Sequence, residues 1–163
     1  MNKYIFVDLD ETLIHTVGFY SGTDMLNYKK VSLSKHESYN TRLRGCSLAF
    51  LEAARKKAKV FMLTVATKDY ALAMNEAFSL GFKAEDIYSR EDVRRKPIKP
   101  LQIEPGAVWL FDNLPSSYND EKCAFLAHLG RLNYVKVFEM DHYSADQLDP
   151  DDLLLLLEEE VKC

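Results

Sequence analysis

The sequence predicts an α/β fold organised around a mainly parallel sheet. Short apolar runs recur along the 163-residue chain, helical patterns lie between them, and two of the runs end abruptly on carboxylates. Apolar runs bounded by charge or turn residues read as strands buried on both faces. Strands alternating with helices imply right-handed crossovers and parallel pairing. Ligands of such sheets gather at the carboxyl ends of the strands, which is where the acids fall.

The first run, Ile5-Phe6-Val7, stops on Asp8 and Asp10. Two aspartates two residues apart on a strand share a face, and their repulsion is costly unless a cation stands between them. Phosphoryl-transfer chemistry gives the pair a purpose, one carboxylate as a metal-bound nucleophile and the other as an acid. Residues 16–43 break the alternation. They are polar and aromatic (Phe19, Tyr20, Tyr28, Tyr39), and Val31-Ser32-Leu33-Ser34 alternates as an exposed hairpin does. This stretch reads as a small β insertion placed directly after the first strand, hence over its carboxyl end.

Further strands are expected at Lys59–Thr64, Asp86–Ser89, Ala107–Asp112 and Tyr134–Phe138, with helices at about 46–57, 69–80 and 117–131. Gly81, Pro105-Gly106 and Gly130 punctuate them as turn signals. A last helix begins after Asp149-Pro150-Asp151-Asp152, with Asp149 or Asp151 as its cap. The length suits a single domain over residues 1–163 with the insertion inside it. No run of apolar residues is long enough to span a bilayer.

Cys46, Cys123 and Cys163 are odd in number and form no CxxC pair, so a reduced, cytoplasmic setting (nuclear in a eukaryote) is expected rather than a disulfide framework. The net charge of −4 argues against general nucleic-acid binding, but it is unevenly spread. Residues 141–163 carry 8 acids against Lys162 alone, which leaves a mildly basic main body suited to an anionic substrate.

Two strand ends and a basic connection bear the remaining chemistry. The second strand ends on Thr64, just before a helix, where its hydroxyl and nearby amides suit phosphoryl oxygens. The fourth ends on Asp112-Asn113, which with Asp8 and backbone oxygen suits an all-oxygen Mg²⁺ site. Phosphoryl transfer also needs a cation to balance the nucleophile and the transferred oxygens; Lys96 and Lys99 are the candidates.

The set Asp8-Leu9-Asp10-Glu11-Thr12-Leu13-Ile14-His15, then Thr64, then the lysines, then Asp112-Asn113-Leu114-Pro115-Ser116-Ser117-Tyr118 resembles the haloacid dehalogenase superfamily of phosphatases. Within it, the likeness is to the small phosphatases of the RNA polymerase II C-terminal domain and their relatives. Tyr70-Ala71, Ser89-Arg90-Glu91 and Arg44 resemble further positions of that group. The resemblance implies a sheet order of 5-4-1-2-3, no large cap domain, and a phosphomonoester hydrolase. Asp8 would form an aspartyl-phosphate and Asp10 would act as acid, then base. Mg²⁺ would be held by Asp8, the Asp10 carbonyl and Asp112 with Asn113 nearby, and Thr64 and a lysine would bind the phosphoryl group. Lys99-Pro100-Leu101 matches the family's lysine motif if three residues are missing, whereas Lys96 keeps the usual distance to Asp112; Lys99 is preferred. The expected substrate is a phosphorylated protein, with a nucleotide or polynucleotide end as the alternative. A catalytically silent interaction module is the rival from another class.

Overall fold

The computed structural model describes residues 1–17, 28–138 and 152–162. Phe19, Tyr20, Asp149 and Asp151, to which the sequence assigned roles, lie outside the described residues. Strand β1 (Lys3–Val7) is central in a five-stranded parallel sheet with β5 (Lys59–Leu63), β6 (Ile87–Tyr88), β7 (Ala107–Asp112) and β8 (Leu132–Lys136), in the order β6-β5-β1-β7-β8. Counted along the chain, this is the expected 5-4-1-2-3 order. Phe6 pairs with Phe61 on one side and Leu110 on the other, which sets all three strands in register.

Alternation along β1 divides the core. Ile5 and Val7 point into a cluster with Phe50, Leu51 and Met74, beneath α1 (Ser47–Lys57) and α2 (Lys68–Ala77). Leu153 and Leu157 of α5 (Asp152–Glu160), and Val161 just after it, close that cluster, and α5 packs on α1. Tyr4 and Phe6 point to the opposite face, where Phe61 stacks on Phe6 and Phe125 and Leu129 complete the layer. With both faces covered, uninterrupted apolar strands are what burial requires.

The insertion folds as a three-stranded antiparallel sheet, β2 (Ile14–Val17), β4 (Ser38–Leu43) and β3 (Lys29–Ser32), with β4 in the middle. Val31 alone of the β3 residues is buried, which anchors the expected hairpin to the main core. Among the described residues no large cap accompanies it.

Boundaries differ where local chemistry overrides periodicity. The expected helix over 117–131 is one short α-helix, α4 (Asp120–Leu126), between 3₁₀ turns at Ser116–Tyr118 and Ala127–Leu129. Gly130, at φ 140°, ends it and lets β8 start two residues before the expected Tyr134. One turn of helix, α3 (Arg90–Val93), follows β6 and is capped by a reciprocal Ser89–Asp92 pair. Among the described residues no helix is long and apolar enough to cross a membrane.

Candidate active site

Three adjacent strands deliver their next residues to one edge of the sheet. The Asp8 amide donates to Phe111 O at 2.9 Å and the Thr64 amide donates to Tyr88 O at 2.9 Å, so strand-like pairing runs one step past β1 and β5. In this register Asp112, the last residue of β7, stands opposite Asp8 on one side, and Thr64 lies one step past Leu63 on the other. All three are buried. After Asp8 the chain must turn sharply, and Glu11 takes a left-handed φ of 63° to do so. Arg44, itself buried, ties that turn down from β4's far end by donating to Thr12 O at 2.7 Å and Glu11 O at 3.0 Å.

The cation of the site is Lys122, on the first turn of α4. Its Nζ donates to Asp8 Oδ1 at 2.7 Å and to Asp112 Oδ2 at 2.6 Å, with its side chain almost wholly buried. To these two carboxylates the structure brings Lys122, rather than the expected Lys99 or Lys96. Both are exposed, and Lys99 lines a separate cavity of about 420 Å³ with Tyr88, Leu101 and Phe125. The reason is local: Leu101 is buried in the α4-side core and its amide donates to His128 Nε2 at 3.1 Å. That clamps the segment to the far end of α4, away from the strand ends. Lys122 carried a signal nonetheless. It shares a helical face with Phe125, Leu126 and Leu129, and a lysine on the apolar stripe of a helix needs a buried partner.

Burial pushes the Asp8 carboxyl up to about 7; the Lys122 ammonium opposes this, and the Asp112 carboxylate adds to it. Burial acts against the charged form of Lys122, but the two carboxylates outweigh it and the ammonium is held above its usual range. Asp10 is treated differently. It receives the Tyr70 hydroxyl at 2.7 Å, while burial raises its carboxyl despite that bond. Two neighbouring carboxylates thus occupy unlike environments, one locked to a cation and the other at the wall of a cavity.

Asn113 stands where the expected cation site would be. With nitrogen turned inward its amide donates to Asp8 Oδ2 at 3.1 Å and to the Asp10 carbonyl at 3.2 Å. With oxygen turned inward, the Asn113 amide, the Asp8 carboxylate and the Asp10 carbonyl would face one another as oxygen donors, the type that suits Mg²⁺. Among the described residues no three His, Cys, Asp or Glu side chains form a metal cage. A hard cation resting on two carboxylates, neutral oxygens and water fits this donor set, and that is how Mg²⁺ is commonly held.

The cavity beside Asp10 has a volume of about 500 Å³. The insertion supplies Thr16, Glu37 and Tyr39 to its wall, and the core supplies Tyr70, Thr67 and Arg90. Tyr39 meets Tyr70 edge-on, with ring centroids 5.1 Å apart. The site is therefore reached along the inserted sheet.

Comparison with known proteins agrees with this geometry. The model of the family NLI interacting factor-like phosphatase matches residues 3–128. No curated protein sequence matches the chain. Among solved structures, the fission yeast RNA polymerase II CTD phosphatase Fcp1 (R271A, bound to beryllium fluoride) is similar with a TM-score of 0.59 at 15% identity. The similarity covers 97% of this chain and 51% of that one. A second structure of Fcp1, an essential RNA polymerase II CTD phosphatase, gives 0.61 at 16% identity, covering 97% of this chain and 49% of the other. The HAD domain of the Legionella pneumophila effector Lem4 (inactive mutant) gives 0.54 at 12% identity, over 99% of this chain and 95% of that one. The chain spans about half the length of the Fcp1 structures and nearly all of the Lem4 domain. These structures share its HAD fold, and the chain belongs to the NLI interacting factor-like phosphatase family.

Proposed function

We propose that this member of a phosphatase family hydrolyses phosphomonoesters through an aspartyl-phosphate on Asp8, with Mg²⁺ as cofactor, and that its substrates are phosphoserine or phosphothreonine proteins. The observation that carries the reading is the Lys122 bridge between Asp8 and Asp112, with Asp10 held apart by Tyr70. A nucleophile paired with a cation beside a neutralisable acid is the arrangement that two-step phosphoryl transfer requires.

In the first step an Asp8 oxygen bonds to phosphorus and the bond from phosphorus to the leaving oxygen breaks, the Asp10 proton passing to that oxygen. In the second, water attacks phosphorus, gives a proton to Asp10, and the bond from Asp8 to phosphorus breaks. Lys122 and Thr64, with the amides after Thr64, would hold the transferred oxygens. Asp8, Asp112, the Asp10 carbonyl and Asn113 would hold Mg²⁺, which when bound neutralises charge on the phosphoryl group.

An open cavity, with no large cap over it among the described residues, supports a phosphate carried on a chain rather than a sequestered metabolite. The alternative of a polynucleotide end is favoured if Arg42, Arg44 and the basic residues of Arg90–Lys99 line one groove; Arg42 and Arg44 are buried, with Arg44 holding backbone carbonyls, whereas Arg90, Arg94, Arg95, Lys96 and Lys99 are exposed. Three cysteines, odd in number and without a CxxC pair, support a reducing, cytoplasmic setting. The test is phosphate release from phosphopeptides, phosphorylated oligonucleotides and p-nitrophenyl phosphate, by the wild type and Asp8→Asn. Release that persists in Asp8→Asn at more than about one per cent would rule out the covalent route.

A further inference from the structure

A line of hydroxyls runs from the inserted sheet to Asp10. Thr41 of β4 lies 3.0 Å from Thr16 of β2, Thr16 lies 2.9 Å from the Tyr70 hydroxyl, and Tyr70 lies 2.7 Å from Asp10 Oδ1. Each hydroxyl has one proton to give. Tyr70 gives its proton to Asp10, so it must accept from Thr16, and Thr16 must accept from Thr41. The chain of donors therefore has one direction, and it ends on the carboxylate. Thr41 is wholly buried and Tyr70 nearly so, which fixes the far end of the line against solvent.

We propose that Tyr70 is a positioning residue for Asp10, and that the inserted sheet, through Thr41 and Thr16, sets the orientation in which Asp10 delivers its proton. With Oδ1 held as an acceptor from Tyr70, a proton on this carboxyl group has only Oδ2 to occupy. The oxygen that acts as acid is thus chosen by a residue that touches neither the phosphorus nor the leaving group. The insertion gains a role beyond walling the cavity: it orients the acid. Tyr39 packs edge-on against the same Tyr70 ring and lines the same cavity, so a substrate seated there presses on the group that holds the acid.

This inference rests on the phosphatase reading above, and the test separates the two. Tyr70→Phe keeps the ring and its contact with Tyr39 but removes the donor. Its kcat/KM, which reports steps up to the first phosphoryl transfer, is compared for p-nitrophenyl phosphate and an alkyl phosphate such as glycerol 2-phosphate. A nitrophenolate leaves with little protonation and an alkoxide does not. Tyr70→Phe is expected to lower kcat/KM at least about tenfold more for the alkyl ester than for the nitrophenyl ester. Thr16→Val should show the same selective loss to a smaller degree, and Thr16→Ser, which keeps the hydroxyl, should behave as the wild type. Equal losses on the two esters, or a rise in KM with unchanged selectivity, would reduce Tyr70 to a wall residue and overturn the proposal. If the wild type releases no phosphate from either ester, the function itself is wrong, an outcome distinct from equal losses in the variant.

Discussion

Lys122→Met is the substitution on which most of the site depends. Methionine keeps the unbranched apolar stem but removes an ammonium that donates at 2.7 and 2.6 Å to two buried carboxylates. Breaking a buried ion pair by removing one partner costs about 3–5 kcal/mol, because the remaining charge stays buried. Here part of that cost is avoidable. Asp8 stands at about 7 with Lys122 beside it, and without Lys122 it moves higher, taking up a proton at neutral pH. The expected loss at pH 7 is therefore about 2–3 kcal/mol, smaller than for a fixed charge. A carboxyl whose folded pKa is raised loses stability as pH rises through that value, so the deficit should widen toward pH 9 and shrink toward pH 5. The same protonation disarms the nucleophile, and kcat/KM should fall at least about a hundredfold. Lys99→Met, exposed and remote, should change stability by less than about 0.5 kcal/mol and activity by less than about twofold. Urea unfolding at three pH values, with phosphate release from p-nitrophenyl phosphate, reads all of this. A Lys122→Met protein that keeps a tenth of the wild-type kcat/KM, or a Lys99→Met protein equally impaired, would refute the assignment.

Other substitutions probe the neighbouring groups. Asp8→Asn should abolish turnover yet, without Mg²⁺, be more stable than the wild type at pH 8, because burial raises Asp8 and its ionised form is costly there; the advantage should fade below about pH 7 in urea melts. Asp10→Asn should slow alkyl phosphates far more than p-nitrophenyl phosphate, and should remove the fall of kcat/KM with rising pH that its burial-raised carboxyl imposes in the wild type. Arg44→Ala should lower stability by about 2–3 kcal/mol by freeing two backbone carbonyls of the turn after β1, with the melting temperature as the measure. Asp112→Asn should raise the Mg²⁺ concentration needed for half-maximal activity at least about tenfold, and should weaken the Mg²⁺-induced rise in melting temperature in parallel.

The parallel sheet was legible because its strands are buried on both faces, and a run such as Val60-Phe61-Met62-Leu63 admits few other readings. The insertion was legible from a different cue, the polar and aromatic alternation around Val31, since a sheet with one open face must alternate. Less visible were the elements that local hydrogen bonding decides. The single turn of α3 depends on the Ser89–Asp92 capping pair, and β6 is two residues long because its neighbour on one side is β5 alone. Neither leaves a periodic trace long enough to read.

The site divides along the same line. Asp8, Thr64 and Asp112 each terminate an apolar strand, so one-dimensional order and three-dimensional position coincide, and the sheet converts a list of strand ends into a cluster. Lys122 breaks that coincidence. It reaches Asp8 across 114 residues of chain from a helix whose visible surface, Asp120 and Glu121, reads as solvated charge. Searching between the third and fourth strands for the lysine assumed that the order of groups along the chain is part of the chemistry. The chemistry asks only for an ammonium within hydrogen-bonding reach of two carboxylates, and any element that passes over the strand ends can bring one. What marks Lys122 is physical rather than positional: on α4 the apolar stripe of Phe125, Leu126 and Leu129 continues one turn back into a lysine, and a cation there is tolerable only if it meets buried acids.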